Sequence, residues 1–230
     1  MQRINVIIPV FNESGSIGFV LQDIPAGLTE EVIVINNGST DNTAEIAKQK
    51  GATVLFEEKK GYGSACLKGI QYIKNKTAEE QPDIIVFIDG DYSDYPDQMP
   101  ALIKPIIENN IDMVIGSRSK GKRIKGSMAP QQIFGNWLAT GLIKLLFGAK
   151  FSDLGPFRAI KWEKLVELNM RDTNYGWTVE MQIKAAKQKL SFTEVPVDYR
   201  PRIGKSKITG TVKGTIMAGY KIIATIFKYY

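Results

Sequence analysis

The chain has no histidine and only one cysteine, Cys66, among its 230 residues. A single cysteine excludes an intrachain disulfide framework and favours a reducing compartment, so we expect a cytoplasmic protein. Without histidine, a general base at neutral pH has to be a carboxylate. No apolar run reaches the ~18–20 residues that a membrane-spanning helix needs, and no signal peptide is indicated at the N-terminus.

Acidic residues are missing from two long stretches. None lies between Asp112 and Asp153 and none follows Asp198, although lysines and arginines are frequent in both stretches. The net charge of +6 is therefore unevenly distributed. Such stretches favour an anionic partner, either the phosphates of a small ligand, an anionic membrane surface or nucleic acid. We expect no nucleic-acid partner, because neither stretch carries a recognisable binding motif.

Short apolar runs alternate with helical patterns along the first half of the chain. The runs predict strands at residues 4–11, 31–35, 53–56, 84–88 and 112–116. Strands and helices that alternate at this spacing predict an α/β fold with a mostly parallel, Rossmann-like sheet between helices. Right-handed crossovers bring the loops after parallel strands to one edge of the sheet, which is the position of a nucleotide site.

The fourth predicted strand ends in a cluster of aspartates. Asp89, Asp91 and Asp94 follow it, and Gly90 separates the first two. Neighbouring carboxylates repel one another, and a hard divalent cation such as Mg²⁺ or Mn²⁺ relieves the repulsion. We therefore predict Asp89, Asp91 and Asp94 as metal ligands. A strand that ends in a polar turn would show the same pattern.

A glycine pair, Gly61 and Gly63, opens the helix after the third predicted strand. A dinucleotide-binding motif would need a third glycine, and Cys66 stands in its place. No acidic residue at a strand end follows at the spacing expected for the ribose. A dinucleotide-dependent dehydrogenase is therefore disfavoured.

Seven short motifs occur in the order typical of a known family, from residue 4 to about 210. They lie at residues 6–13 (VIIPVFNE), 37–41 (NGSTD), 61–65 (GYGSA), 89–91 (DGD), 116–118 (GSR), 155–159 (GPFRA) and 202–207 (RIGKSK). The ordered set resembles the inverting family-2 glycosyltransferases of the GT-A fold. Within that family it is most similar to the dolichyl- or polyprenyl-phosphate sugar synthases.

The resemblance implies a nucleoside-diphosphate sugar donor, a divalent metal and a single-displacement transfer. It implies that Asp91 holds the metal and that Arg202 folds over the diphosphate from a loop that orders on binding. Donor-side residues implied by the resemblance are Pro9, Asn12, Glu13, Asn37, Asp41, Gly61, Asp89, Lys205 and Lys207.

The sequence also departs from the family's pattern. Asn36 and Asn37 replace the usual pair of aspartates, so recognition of the nucleotide base is expected to differ. The arginine and serine that help to hold an acceptor phosphate in lipid-phosphate synthases are absent from residues 130–135. Arg118, Arg123 and Lys125 remain as candidates for that role.

We expect transfer of a hexose, such as glucose or mannose, to a polyprenyl or dolichyl phosphate, and a hydroxyl acceptor is the alternative. A polyprenyl phosphate is already an anionic nucleophile and needs no base, whereas a sugar or small-molecule hydroxyl does. For a hydroxyl acceptor the best candidate base is Asp153, and we count it among the catalytic candidates. Glu180 is the second candidate, although a charge at the start of a helix is the simpler explanation. Trp177 and Tyr175 could stack on an acceptor, although core packing is the simpler explanation for at least one of them.

We expect a glycosyltransferase domain over residues 1–210, with a nucleotide-sugar-binding half (1–116) and an acceptor half (117–210). Residues 211–230 form a predicted amphipathic helix with lysines at its margins and no acidic residue. Together with the basic loop over residues 117–129, this helix favours peripheral contact with the inner membrane face. The same helix would also allow packing on the domain or a homodimer.

Two alternatives come from other classes of protein. A nucleotidyltransferase shares the fold and the metal-binding carboxylates, but residues 11–15 (FNESG) do not form its usual glycine-rich basic loop. The other alternative is a non-catalytic nucleotide-sugar-binding module. The presence of Asp89, Asp91 and Arg202 together argues against it.

Overall fold

The computed structural model describes residues 2–204 and 212–230. Within these ranges, one seven-stranded sheet lies between two layers of helices. In chain order the elements are β1 (Ile4–Val10), α1 (Ile17–Asp23), β2 (Glu31–Asn36), α2 (Thr43–Gln49), β3 (Thr53–Phe56), α3 (Tyr62–Lys74), β4 (Ile84–Phe87), α4 (Met99–Asn109), β5 (Met113–Ser117), α5 (Pro130–Phe147), β6 (Arg158–Lys161), α6 (Trp162–Leu168), α7 (Trp177–Lys187), β7 (Phe192–Pro196) and α8 (Val212–Lys228).

The sheet has the strand order β3-β2-β1-β4-β6-β5-β7. Strand β6 runs antiparallel to both of its neighbours, and the other strand pairs are parallel. The predicted α/β class, with a mostly parallel sheet and a C-terminal helix, is therefore confirmed. The antiparallel strand β6 comes from the predicted acceptor half, but it lies between β4 and β5, which apart from Ser117 belong to the predicted nucleotide-sugar-binding half.

Both faces of the central strands are buried, which explains why these strands are apolar without interruption. All seven residues of β1 are buried. Ile7 packs with Phe87 on one face of the sheet, while Val6 and Ile8 pack on the other. Alternate side chains of a strand point to opposite faces, so a strand covered on both sides must be apolar at every position.

The C-terminal helix α8 packs against α5 and α7. Ile226 is fully buried there, and Ile222 and Ile223 are partly buried against the same core. In the described parts of the chain, none of the helices combines the length and the apolar character needed to cross a membrane. Helix α6 begins directly after β6 and has no counterpart among the predicted elements.

Candidate active site

A cleft of ≈ 270 Å³ opens at the edge of the sheet where β1, β2 and β4 end. We call it the donor cleft. Its walls combine residues that are far apart in the sequence, as expected when several parallel strands end at one edge. The predicted site residues on its walls are Pro9, Glu13, Asn37, Gly61, Asp89, Asp91 and Arg202. The cleft is also lined by Tyr62, Asn174 and Tyr175.

The aspartate cluster lies at the base of this cleft. Asp91 is 3% exposed, and its Oδ1 accepts a hydrogen bond from the backbone N–H of Ser93 at 2.9 Å. The Oδ1 atom of Asp89 is buried and has no hydrogen-bond partner among the described residues. Burial and the charge of Asp91 raise the pKa of Asp89 to about 7. The cluster is therefore short of positive charge.

Asp94 lies deeper than the other two aspartates. Neither of its carboxylate oxygens has a hydrogen-bond partner in the described structure, and it is not on the wall of the donor cleft. Burial, and then the charge of Asp89, raise the pKa of Asp94 well above its usual range. Asp94 therefore lies outside the space that a ligand would fill, unlike Asp89 and Asp91.

Residues 2–204 and 212–230 contain no group of three His, Cys, Asp or Glu side chains arranged to hold a metal ion. The predicted set of Asp89, Asp91 and Asp94 is not assembled as a three-ligand site. However, Mg²⁺ is commonly held by one or two carboxylates while substrate phosphates and water complete its shell. Asp89 and Asp91 fit this arrangement, since both face the cleft and Asp89 has an unpaired buried oxygen.

Arg202 supplies positive charge to the cluster. Its Nη2 atom donates a hydrogen bond to Oδ2 of Asp91, and its side chain is 30% exposed. The backbone N–H of Ile203 donates to the carbonyl oxygen of Asp91 at 3.0 Å, which holds this segment against the loop after β4. Lys205 and Lys207, the other cations predicted for the same loop, lie outside the described residues.

Asn12 and Asp41 join the loops after β1 and β2. Oδ1 of Asn12 accepts a hydrogen bond from the backbone N–H of Thr40 at 2.8 Å. The Asp41 carboxylate accepts one from the backbone N–H of Ser14 at 3.2 Å. Neither residue lines the donor cleft. In this structure they shape the donor wall by fixing two loops to each other.

The hydrogen bonds of Asn37 give a physical reason why an asparagine replaces the family's usual aspartate at this position. Its Nδ2 atom donates to the carbonyl oxygens of Glu57 and Lys59, at 3.0 and 2.9 Å. Its Oδ1 atom accepts from the backbone N–H of Gly61 at 2.7 Å. An aspartate could not donate to two carbonyl groups, so the amide is required to hold the loop before α3 in this position.

The glycine pair at the start of α3 allows two backbones to touch. A Cβ atom on Gly61 would lie 2.1 Å from the carbonyl oxygen of Thr173, and one on Gly63 would lie 2.0 Å from that of Asp172. The backbone N–H of Ser64 donates to the Thr173 carbonyl at 3.0 Å. The two glycines therefore seat residues 172–173 on α3, which brings Asn174 and Tyr175 to the cleft.

We expect Gly63→Ala to destabilise the protein by about 1–3 kcal/mol, because the added methyl group forces two backbones apart. Urea denaturation measures this change. The matched control is Gly141→Ala in α5, where an added Cβ meets nothing within 4 Å. That change should stabilise by about 0.5–1 kcal/mol, since alanine is the better helix former. Equal effects at the two positions would contradict the close approach.

A second cavity, also of ≈ 270 Å³, adjoins the donor cleft and shares Tyr62, Asp89 and Tyr175 with it. We call it the acceptor groove. It lies between the first half of α5, the start of α7 and the middle of α8. Its further walls are formed by Arg118, Met128, Gln131, Gln132, Gly135, Asn136, Leu154, Pro156, Trp177, Thr178, Ala218, Gly219 and Ile222.

Arg118 is the cation of the acceptor groove, and Asp153 holds it in place. Nε and Nη2 of Arg118 donate to the two oxygens of Asp153 at 2.9 and 2.7 Å, and the backbone N–H of Arg118 adds a third bond at 2.7 Å. The Asp153 side chain is fully buried. Although burial opposes the shift, the Arg118 guanidinium lowers the pKa of Asp153. Both carboxylate oxygens of Asp153 therefore accept hydrogen bonds from Arg118.

Of three further residues predicted for the acceptor side, only one lines the groove. They are Glu180, Trp177 and Arg123. Glu180 is fully buried outside the groove and accepts hydrogen bonds from the loop before α7 and from Tyr229, which directly follows α8. Trp177 lines the groove but is only 1% exposed and packs edge-on against Phe87. Arg123 is exposed on the loop after β5, where its Nη1 contacts the sulfur of Met128.

The sequence patterns give Tyr62 no role in the site, and they do not predict that the loop that carries Tyr175 borders both cavities. Tyr62 lies on both cavities, and burial followed by the charge of Asp89 raises the pKa of its hydroxyl well above the usual range. The loop of residues 172–176 brings Tyr175 to the junction of the cavities. The pattern Asp172-Thr-Asn-Tyr-Gly176 is typical of a tight turn in which an aspartate caps the following backbone, and it could have indicated this loop.

The fold is that of a GT-A-like glycosyltransferase. The chain belongs to glycosyl transferase family 2, whose model matches residues 5–167. It is 32% identical to an uncharacterized glycosyltransferase of Mycobacterium tuberculosis, over 94% of both chains. It is 27% identical to undecaprenyl-phosphate mannosyltransferase of Micrococcus luteus, over 92% of this chain and 90% of that enzyme.

A solved structure supports the assignment of the fold. Glucosyl-3-phosphoglycerate synthase of Mycobacterium tuberculosis, in complex with Mn²⁺, UDP and glucosyl-3-phosphoglycerate, matches with a TM-score of 0.76. The match covers 99% of this chain and 80% of the other, at 23% identity. At this identity the similarity establishes the fold alone.

Proposed function

We propose that this protein transfers a hexose, with inversion, from a nucleoside-diphosphate sugar to a polyprenyl phosphate, and that a divalent cation assists the transfer. The observation that carries this proposal is the position of Arg118. It is fixed at the wall of a groove that joins the donor cleft and runs between two helices with exposed apolar side chains. An anionic head with an apolar tail is the acceptor that fits such a groove.

On the donor side, Asp89 and Asp91 would hold the cation, and Arg202 would bind the diphosphate beside it. When bound, the cation offsets the negative charge that develops on the leaving diphosphate. Arg202 would add positive charge at the same point, because its guanidinium already lies against Asp91. Asn37 and Gly61 keep the loop before α3 in place, so the sugar nucleotide meets a preformed wall.

On the acceptor side, Arg118 would hold the phosphate so that one of its oxygens can attack the sugar. A phosphate oxygen is deprotonated near neutral pH, so no base is needed. The bidentate bond to Asp153 uses Nε and Nη2 of Arg118, and Nη1 has no partner in the described structure. Arg118 therefore keeps a donor for a ligand while its orientation is fixed.

The helices that border the groove carry large exposed apolar side chains. On α5 these include Phe134 and Trp137, which are 61% and 67% exposed, and on α8 Met217 and Phe227, at 52% and 58%. Neither helix contains an acidic residue. We propose that this face contacts an anionic membrane surface, which would bring the mouth of the groove close to the lipid acceptor.

The experiment is a transfer assay with the purified full chain and Mn²⁺. UDP-glucose, UDP-galactose, UDP-N-acetylglucosamine and GDP-mannose are each offered with a polyprenyl phosphate carried in vesicles of phosphatidylglycerol or of phosphatidylcholine. We expect one donor to give a lipid-linked sugar, and faster transfer on the anionic vesicles. Equal rates on both vesicles would remove the membrane-surface part of the proposal.

A hydroxyl acceptor remains the second candidate, because the family similarity does not restrict the acceptor. The assay separates the two candidates. A donor that is bound or slowly hydrolysed, without any lipid product, would favour the hydroxyl acceptor. That reaction would require Asp153 to release Arg118 before it could take a proton, or a different carboxylate to act as the base.

A further inference from the structure

Residues 172–176, which we call the junction loop, lie where the donor cleft meets the acceptor groove. Tyr175 lines both cavities. Asp172 gives the loop its shape, because its Oδ1 accepts hydrogen bonds from the backbone N–H groups of Asn174 and Gly176, at 2.7 and 3.2 Å. The position of Tyr175 therefore depends on the Asp172 carboxylate.

A second carboxylate holds the start of the junction loop. Glu180, in the first turn of α7, accepts hydrogen bonds from the backbone N–H groups of Arg171 and Asp172, at 2.6 to 3.1 Å. It is fully buried. Burial opposes its ionisation, yet hydrogen bonds from Lys184 and Tyr229 lower the pKa of Glu180. The loop is thus built on two anions that need partners.

Helix α8 and Tyr229, the residue directly after it, supply a partner to each anion. Nζ of Lys221 lies 2.9 Å from Oδ2 of Asp172. The hydroxyl of Tyr229 donates to Oε1 of Glu180 at 2.5 Å. Between these two contacts, Thr225 of α8 packs closely against Gly176. A Cβ atom added to Gly176 would lie 2.4 Å from Oγ1 of Thr225. Lys221 and Thr225 of α8, and Tyr229 directly after its end, are spaced four residues apart and therefore face the junction loop and its support.

These polar contacts are separate from those that hold α8 on the domain. Ile226 is fully buried, and Ile222 and Ile223 pack against the core beneath the sheet. Apolar burial of this kind is the main stabilising term for a packed helix. The polar contacts of Lys221 and Tyr229 instead end on the two carboxylates that shape the loop.

We propose that Lys221 of α8 and Tyr229, directly after that helix, are positioning residues that hold the junction loop and keep Tyr175 at the meeting point of donor and acceptor. This inference rests on the proposed sugar transfer for its catalytic consequence. Its structural part stands without it. A displaced α8 would leave Asp172 without Lys221 and would leave Glu180 with Lys184 of α7 as its remaining cation, at 2.7 Å, so the state of this helix would affect the geometry of the site.

The test compares Lys221→Met with Tyr229→Phe and the double variant in the full chain. The matched controls are Lys48→Met on α2 and Tyr230→Phe, both of which are exposed. In the double variant we expect the amide hydrogens of residues 171–176 to exchange at least tenfold faster. We expect kcat for transfer to fall by about 10–100-fold, because small misplacements of reacting groups are costly. The dissociation constant of the donor should change less than threefold.

Lys221→Arg should restore kcat, since it keeps the charge beside Asp172. Unchanged exchange of residues 171–176 in the double variant would overturn the proposal, even if the melting temperature fell. Faster exchange with an unchanged kcat would overturn the catalytic part. If the parent protein transfers no sugar to any acceptor, the proposed function fails, while hydrogen exchange still decides whether α8 positions the loop.

Discussion

Asp91→Asn should reduce sugar transfer by about 10²–10³-fold, because the site loses the charge that organises it. Oδ1 of Asp91 accepts from the backbone N–H of Ser93, and Oδ2 accepts from Arg202. An asparagine keeps the shape of the side chain but turns one acceptor into a donor. It can then satisfy only one of these partners, and it is a much weaker ligand for a divalent cation.

The measurement is the initial rate of transfer at saturating donor, together with the dependence on Mn²⁺. Asp97→Asn is the matched control, since Asp97 is exposed nearby and outside the donor cleft. The control should keep the parent rate. Chelation of divalent cations should reduce the parent rate to the level of Asp91→Asn and should hardly change the variant. A variant that retains more than a tenth of the parent rate would contradict this role for Asp91.

The core of the fold could be predicted from the sequence because burial on both faces leaves a direct trace. Strands that must be apolar at every position appear as short continuous runs, and β1 and β4 were identifiable for this reason. The direction of β6 leaves no such trace, because an antiparallel strand buried on both faces has the same composition. Helix α6 is hidden because no turn residue separates it from β6.

The convergence of the donor residues was also predictable, since it follows from parallel strands ending at one edge. The partners of individual side chains were not. Asp153 and Arg118 are 35 residues apart, and only their folded positions show that each oxygen of the carboxylate meets the guanidinium. The same holds for Lys221 and Asp172, which come from α8 and a loop before α7. Long-range pairs of charges are set by packing, and local sequence patterns do not encode them.

Arg118 and Asp153 offer a test that separates an acceptor-binding role from a base. Arg118→Met should destabilise the protein by about 3–5 kcal/mol, because it leaves the Asp153 carboxylate buried without its partner. Arg118→Met with Asp153→Leu removes both charges and should recover most of this loss, since apolar replacement of a buried pair is often neutral. Urea denaturation of the parent, both single variants and the double variant gives the four values of the cycle.

Activity should not recover with stability. In the stable double variant, transfer to a polyprenyl phosphate should remain about 10–100-fold below the parent, the loss expected for a hydrogen bond to a charged group. The loss should appear mainly as a raised KM for the acceptor, with the dissociation constant of the donor within threefold. Arg123→Met, on the exposed loop, should change the rate less than threefold.

Asp153→Asn then decides between the two acceptors. If Asp153 only fixes Arg118, the asparagine keeps part of the contact through its oxygen, and transfer to a phosphate acceptor should fall about tenfold or less. If Asp153 is the base for a hydroxyl acceptor, the same variant should lose at least about 10²-fold in rate while it binds the donor normally. The buried, bidentate geometry favours the first outcome, because a carboxylate whose oxygens both accept from a guanidinium is a poor proton acceptor.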